Sequence, residues 1–291
     1  MKVVASIVNA FTTVADGGNP AGVVLNSPKL TDKQMAQVTK ILKVSETAFV
    51  FTGESSDYKV RFFSPTIEVD LCGHATIATF FYMAHDGRIV GNKNKILTQE
   101  TKVGILPISI EFNAEGILER VMMKQASPIF KDIHLDISSL ARALNIKMEN
   151  INQDIPKQIV STGLFTLPLC IKSFKFLKDI KPDFEKVKTL CKKLGVGSIH
   201  CFTFETIEST SVYHARNFAP IYGINEDPVT GTANGAVVSY LFKNNLISVN
   251  NVICEQGDII GRPGRVFVKV KDDYVMVGGK AFKFKDELMD V

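Results

Sequence analysis

The sequence predicts an α+β protein built from two similar halves, and three observations carry that prediction. The first is a repeat: Arg61-Phe62-Phe63-Ser64-Pro65 is answered by Arg216-Asn217-Phe218-Ala219-Pro220, 155 residues further on. The second is the segment after each copy. A short loop leads to Gly73 or Gly231, offset now by 158, and then to an apolar run with no charge before Asp86 or Lys243. In the first run Ala75, Ile77, Ala78, Phe80, Phe81, Met83 and Ala84 leave little polar stripe at a 3.6-residue period. A helix that is apolar almost all round is buried on all sides. The third observation is that much of the remaining chain reads as short β-rich segments separated by turn residues. A chain of 291 residues can form two units of about 145, each burying its own core.

In chain order, residues 3–11 read as an opening strand. Asp16-Gly17-Gly18-Asn19-Pro20-Ala21-Gly22 reads as a glycine-rich turn leading into Val23-Val24-Leu25. Thr31 caps a helix over about 32–43, with Met35, Val38, Ile41 and Leu42 on one face. Val44 to Phe51 is an apolar strand with Glu46 at its entrance, and Tyr58 to Phe63 delivers the chain to the first central helix, 73–86. Ile96 to Thr101 and Gly104 to Phe112 are strands, and the turn Asn113-Ala114-Glu115-Gly116 puts the boundary just after it. The halves are therefore 1–118 and 119–278. The second begins with a strand over Leu118 to Lys124, followed by a short helix from Ser138 to Leu144 and a loop from Asn150 to Pro156. Gln158 to Lys172 holds strands broken at Gly163 and Pro168, and Pro182 to Leu194 is an amphipathic helix ended by Gly195, with Cys191 on or near its buried side. Ile199 to Thr206 and Ser211 to Phe218 are strands that deliver the second central helix, 231–244. The tail from Val252 to Phe284 is strand-rich with tight Gly/Pro turns.

Composition narrows the functional classes. Net charge is +4, and the Lys-rich stretches alternate with acids, so they read as solvated faces and no nucleic-acid partner is expected. The five cysteines, Cys72, Cys170, Cys191, Cys201 and Cys254, are odd in number and form no Cys-x-x-Cys pair. That pattern points to reduced thiols and a cytoplasmic protein. No His-Glu-x-x-His and no Cys/His cluster at ligand spacing occurs, so no metal site is expected. The glycine-rich segment at 16–22 lacks the nucleotide-binding patterns. The N-terminus reads as a strand rather than a signal peptide, and no apolar run reaches the roughly 18 residues of a membrane span.

Two side chains stand out on chemistry alone. His74 is ionisable and sits in the first turn of the first central helix, where the dipole is positive and backbone N–H groups have no partner inside the helix. An anion can be held there. Glu46 is a carboxyl group at the mouth of an apolar strand, where burial would raise its pKa and let it exchange protons near neutral pH; the alternative is an exposed strand-end glutamate.

The ordered motifs Gly17-Gly18-Asn19-Pro20-Ala21, Ser45-Glu46-Thr47-Ala48, Cys72-Gly73-His74-Ala75-Thr76, Glu226-Asp227-Pro228-Val229-Thr230-Gly231 and Glu255-Gln256-Gly257 with Gly261-Arg262-Pro263 resemble the phenazine-biosynthesis isomerase (PhzF-like) family, nearly end to end. The resemblance implies the diaminopimelate epimerase-like fold, in which each half is a curled, mostly antiparallel β-sheet or barrel around its central helix, with the site between the halves. It further implies a C-terminal strand, about 279–291, returning to the first half, and a homodimer. By resemblance Glu46, His74 and Asp227 are catalytic, with Glu46 as proton shuttle. Gly73 matches a backbone donor, and Asn19, Gly231 and Thr232 bind substrate. Thr232 stands where the family often has Ser, keeping a hydroxyl in a more crowded pocket.

The activity implied is a cofactor-independent isomerisation of a small acidic metabolite, a cyclic amino or hydroxy acid, by general acid–base proton transfer. Two alternatives stay open. One is an amino-acid racemase or epimerase of the same fold, which needs two thiols; Cys72 could be one, but its counterpart is Thr230. The other is a non-catalytic protein that binds a small acid.

Overall fold

The computed structural model describes residues 1–25, 27, 30–271 and 274–291. Asp272 and Asp273, within the tail read as strand-rich, lie outside the described residues. The chain divides into two compact units, Met1–Lys124 with Gly278–Val291, and Gln125–Val277.

In the first unit β1 (Lys2–Ala10) runs antiparallel to β2 (Asn19–Val24), so the last residues of the glycine-rich stretch are strand rather than turn. Helix α1 (Asp32–Leu42) starts at Thr31 in a capping box: the Thr31 side chain accepts from Gln34 N, and the Gln34 side chain accepts from Thr31 N. Met35, Val38 and Leu42 are buried on it, but Ile41 is 45% exposed and leaves the predicted face. Thr39 takes the buried place because its hydroxyl donates to Met35 O and Phe63 O. Strand β3 (Thr47–Thr52) lies parallel to β2, and β4 (Tyr58–Phe63) antiparallel to β3. The two-residue β5 (Glu68–Val69) folds back on β4 before α2 (Gly73–His85). Strand β6 (Lys95–Thr101) is parallel to β4, and β7 (Gly104–Phe112) and β8 (Leu118–Lys124) continue antiparallel.

Strand β8 belongs to the first unit, not to the start of the second, because its ladder is with β7. Helix α2 packs on β1, β2, β3, β7 and β8. Ala75, Ile77, Ala78, Phe80, Tyr82 and Met83 are all buried along it. Burying each of the larger side chains contributes roughly 1.5–3 kcal/mol, which holds the helix in place despite its weak capping.

The second unit opens with β9 (Ile129–Asp132) and α3 (Ile137–Leu144), followed by β10 (Gln158–Ser161) and β11 (Phe165–Cys170). Gly163 turns between the last two at φ 145°, a conformation suited to glycine. Pro168, predicted as a break, sits inside β11. The β10 ladder stops at Thr166, so the missing N–H at 168 removes no bond on that side. Two helices follow, α4 (Phe174–Lys178), which no periodicity announced, and α5 (Phe184–Leu194). Helix α5 is capped by the Asp183 side chain and closed by Gly195 in the left-handed region, and Cys191 is fully buried. Strand β12 (Ser198–Thr203) is parallel to β11, and β13 (Ser211–Ala219) antiparallel to β12. Then come β14 (Ile224–Asp227), α6 (Gly231–Lys243), β15 (Asn251–Gln256) parallel to β13, β16 (Gly264–Val270) and β17 (Val275–Gly279). Finally β18 (Ala281–Asp290) pairs antiparallel with β1 in the first unit.

The duplication extends to strand pairing. The order parallel, antiparallel, parallel through β2–β3–β4–β6 recurs as β11–β12–β13–β15. Both units are α+β, with a central helix of 13 residues on a mostly antiparallel, curled sheet. Among the described residues, no helix is long and apolar enough to cross a membrane.

Candidate active site

In the first unit, Glu46 stands one residue before β3. Its carbonyl accepts from Gly22 N at 2.9 Å, which fixes the carboxyl-bearing residue against β2. Gly22 is required there: a Cβ would come within 2.3 Å of Thr47 Oγ1 and 2.7 Å of a Leu42 methyl group. His74 is the second residue of α2, and its Nε2 lies 3.5 Å from Glu46 Oε2. On the other side of the ring, Nδ1 is 3.4 Å from Cys72 Sγ. His74 and Glu46 side chains are 12% and 21% exposed, so the pair is sheltered but reachable from solvent.

Cys72 is the N-cap of α2 in extended conformation, and its side chain makes no capping bond to the first-turn N–H groups. A Cβ at Gly73 would meet nothing within 4 Å, so a ligand can approach the backbone here. The helix start is held from behind. Thr76 donates its hydroxyl to Cys72 O at 2.9 Å, and Gln99 Nε2 donates to Thr76 Oγ1 at 3.2 Å. Asn19, the first residue of β2, is buried.

The second unit carries Asp227 at the end of β14. The Thr230 hydroxyl donates to the Asp227 carboxylate. Gln256 ties the loop together: its Nε2 donates to Asp227 O at 2.8 Å, and its Oε1 accepts from Thr230 N at 3.1 Å and Asn234 Nδ2 at 2.7 Å. Tyr213 donates to Asn234 Oδ1 at 2.7 Å. Thr230 is the N-cap of α6 and, like Cys72, makes no side-chain cap bond. A cavity of about 140 Å³ opens in this unit, lined among others by Ser198, Asn217, Asp227, Thr230 and Thr232. Gly231 begins α6 beside it.

Of the residues singled out in the sequence, Glu46, Gly73 and His74 thus gather around the start of α2, and Asp227, Gly231 and Thr232 around the start of α6. The fold also assembles what sequence spacing did not announce. Glu46, Cys72 and His74 each offer a metal-ligating atom, all within 4.8 Å of one another. The expectation of no metal-capable cluster rested on local spacing, and Glu46 comes from a distant strand entrance. Two positioning residues were given no role from the sequence: Gln99, and Gln256, quoted only as part of the Glu255-Gln256-Gly257 motif. Their signal was present: Thr76–Gln99 and Asn234–Gln256 recur at offsets of 158 and 157, close to that of the two helix glycines.

Fold and family together are those of an enzyme of the isomerase class. Residues 8–286 match the family described as phenazine biosynthesis-like protein, PhzC-PhzF, and the chain belongs to that family. It is 37% identical over 264 residues to an uncharacterized isomerase of Bacillus subtilis, covering 90% of this chain and 89% of that protein. An uncharacterized isomerase of Clostridium acetobutylicum is 36% identical over 297 residues, covering 97% and 96%. Among solved structures, a PhzF-family phenazine biosynthesis protein of Bacillus anthracis superposes with a TM-score of 0.93 at 32% identity, covering both chains completely. A hydroxyproline epimerase from Agrobacterium vitis shares the fold at a TM-score of 0.62 and 11% identity, over 99% of this chain and 91% of that one.

Proposed function

We propose that this isomerase moves a proton on a small acidic metabolite, a cyclic amino or hydroxy acid, without a cofactor. The observation that carries the reading is the Glu46–His74 pair, 3.5 Å apart and largely shielded, beside the open backbone at Gly73. Glu46 removes a proton from a carbon acid and returns it to another position, the two half-reactions such an isomerisation needs. The imidazole of His74 steadies the carboxyl group and the substrate. First-turn N–H groups at the start of α2 hold the substrate carboxylate or the negative charge that develops on proton removal. Asp227 is assigned a role in the same reaction from its family motif, with Gly231, Thr232 and Asn19 as substrate-binding residues. A homodimer in the cytoplasm is part of the same reading.

The racemase alternative finds less support. It needs a thiol on each side of the reacting carbon, and the residue matching Cys72 is Thr230, whose hydroxyl is engaged with Asp227. The test is a screen of small cyclic amino and hydroxy acids for deuterium uptake from solvent, followed by NMR. Uptake with a shifted double bond or proton position supports the isomerase; loss of optical activity alone selects the racemase. Glu46→Gln keeps the shape of the side chain but carries no proton. It is expected to bind the substrate found by the screen and to turn it over about 100-fold or more slowly. A wild-type rate in that variant overturns the mechanism.

A further inference from the structure

We propose that Glu46, Cys72 and His74 form a three-ligand site for Zn²⁺ or a similar borderline-soft divalent cation. The donor set is a thiol, an imidazole and a carboxyl group, with ligand atoms within 4.8 Å of one another. Tetrahedral zinc with bonds of about 2.0–2.3 Å needs donors roughly 3.3–3.6 Å apart. Cys72 Sγ is 3.4 Å from His74 Nδ1 and Glu46 Oε2 is 3.5 Å from His74 Nε2; with one atom taken from each residue, the three donors lie within 4.8 Å of one another. One ring nitrogen can serve, so a modest turn of the imidazole or carboxyl group completes the set.

A second observation points the same way. His74 Nε2 is buried and makes no hydrogen bond of good geometry, its facing polar atom being Glu46 Oε2 at 3.5 Å. With no hydrogen bond holding it, that nitrogen can turn its lone pair to a cation shared with the Glu46 carboxylate.

The chemistry also selects the metal. A sulfur and a nitrogen donor disfavour Mg²⁺ and Ca²⁺, which take oxygen ligands. Three protein ligands leave one position for water, the open arrangement. Binding is balanced by one proton: the Cys72 thiol gives it to solvent as the thiolate forms the metal–sulfur bond. Access is selective as well. Cys72 is 8% exposed, whereas Cys170, Cys191, Cys201 and Cys254 are 3% or less. Burial raises all four of those thiols, to about 12 for Cys170, about 11 for Cys191 and about 12 for Cys254.

An occupied site holds Glu46 and His74 in coordination, so the metal keeps the proton carrier from its substrate. That consequence rests on the function proposed above; the binding does not, and the two are read separately. The intact, reduced protein, freed of metal with a chelator, is titrated with Co²⁺ and then with Zn²⁺ against a chromogenic chelator. One Co²⁺ bound per chain with release of a proton and a thiolate-to-cobalt charge-transfer band, the Co²⁺ then displaced by Zn²⁺ with no further proton release, is the expected result. Cys72→Ser should abolish the band, and His74→Gln should weaken Zn²⁺ binding by about 100-fold or more, beyond the effect of losing an outer partner. Thermal unfolding of each variant checks that it is folded. No band in the wild-type protein overturns the proposal without recourse to any variant, as does a band that survives in Cys72→Ser. If one Zn²⁺ binds but turnover of the substrate found by the screen stays the same, the metal does not occupy the proton carrier and that half of the proposal fails.

Discussion

In the first unit Arg61 grips Glu68 through Nε and Nη2, both at 2.8 Å, and lies 5.0 Å over the Phe63 ring. In the second, Arg216 grips Glu226 through the same two atoms at 2.8 Å and lies 4.9 Å over Phe218. Each clamp ties the strand before the loop to the short strand that enters the central helix. The surroundings differ. Arg61 shares Nη2 with Asp32, whose side chain is 70% exposed, and Glu68 also meets Lys102 at 2.9 Å. Arg216 is 8% exposed, and its Nη1 donates to the carbonyls of Leu177 at 3.1 Å and Ile180 at 2.8 Å. Those carbonyls belong to α4 and the loop after it, which stand where the first unit has α1 alone.

Beyond the clamp the copies diverge in the side chains that do chemistry. At the offset of 158, Val69 corresponds to Asp227, Cys72 to Thr230, and His74 to Thr232. By strand register Glu46 corresponds to Ser198, and the Ala48–Phe62 pair to His200–Asn217. The duplicated backbone is kept by arginine clamps and apolar helices, while the mouths of the two helices are free to differ.

The contrast between the clamps predicts the largest effect. Arg216→Ala strips Glu226 of its guanidinium and the Leu177, Lys178 and Ile180 carbonyls of a donor in a buried setting, and should cost about 3–5 kcal/mol in urea denaturation. Arg61→Ala should cost about 1 kcal/mol, because solvent and Lys102 compensate the acids it leaves. Equal losses would mean that the insertion around Arg216 adds nothing.

The polar pair in the second unit predicts a pH effect with no equivalent in the first. His200 is fully buried with Nδ1 3.1 Å from Asn217 Oδ1, and burial pushes its pKa from 6.5 down to about 4. Between those values the unfolded chain binds the proton and the folded one does not. The stability is therefore complete above pH 6.5 and lost as pH falls toward about 4. The loss should reach ~3 kcal/mol. Denaturation at a series of pH values should show that slope in the wild type, and a flatter one in His200→Ala.

The catalytic asymmetry predicts kinetic effects. Asp227→Asn should slow turnover about 100-fold, the scale of a lost acid–base group, with the fold retained by circular dichroism. A variant at wild-type rate would leave the chemistry to the first unit alone. The smallest effect belongs to Cys72→Ala, expected to slow turnover by less than about tenfold, since a lone thiol cannot run a two-thiol mechanism. A loss matching that of Glu46→Gln would instead revive the racemase.

Much of this protein was legible in its sequence because the signals are local. The repeat gave two units, and two charge-free runs after Gly73 and Gly231 gave their central helices within a residue or so of Gly73–His85 and Gly231–Lys243. A helix buried on all sides has to be apolar on all sides, so its sequence declares it. Caps at Thr31 and Gly195 were equally plain, because a cap is chemistry between neighbours along the chain. Tertiary structure decided the rest. It moved Leu118–Lys124 into the first unit, since a strand belongs to the ladder it completes and pairing leaves no local trace. It kept Pro168 within a strand because the ladder to β10 ends before it, leaving it paired with β12 alone. Above all it brought Glu46 to His74 and Cys72, 26 to 28 residues away in sequence. Hydrophobic burial is written residue by residue, whereas a constellation of polar atoms exists only once distant backbone segments are fixed ångströms apart.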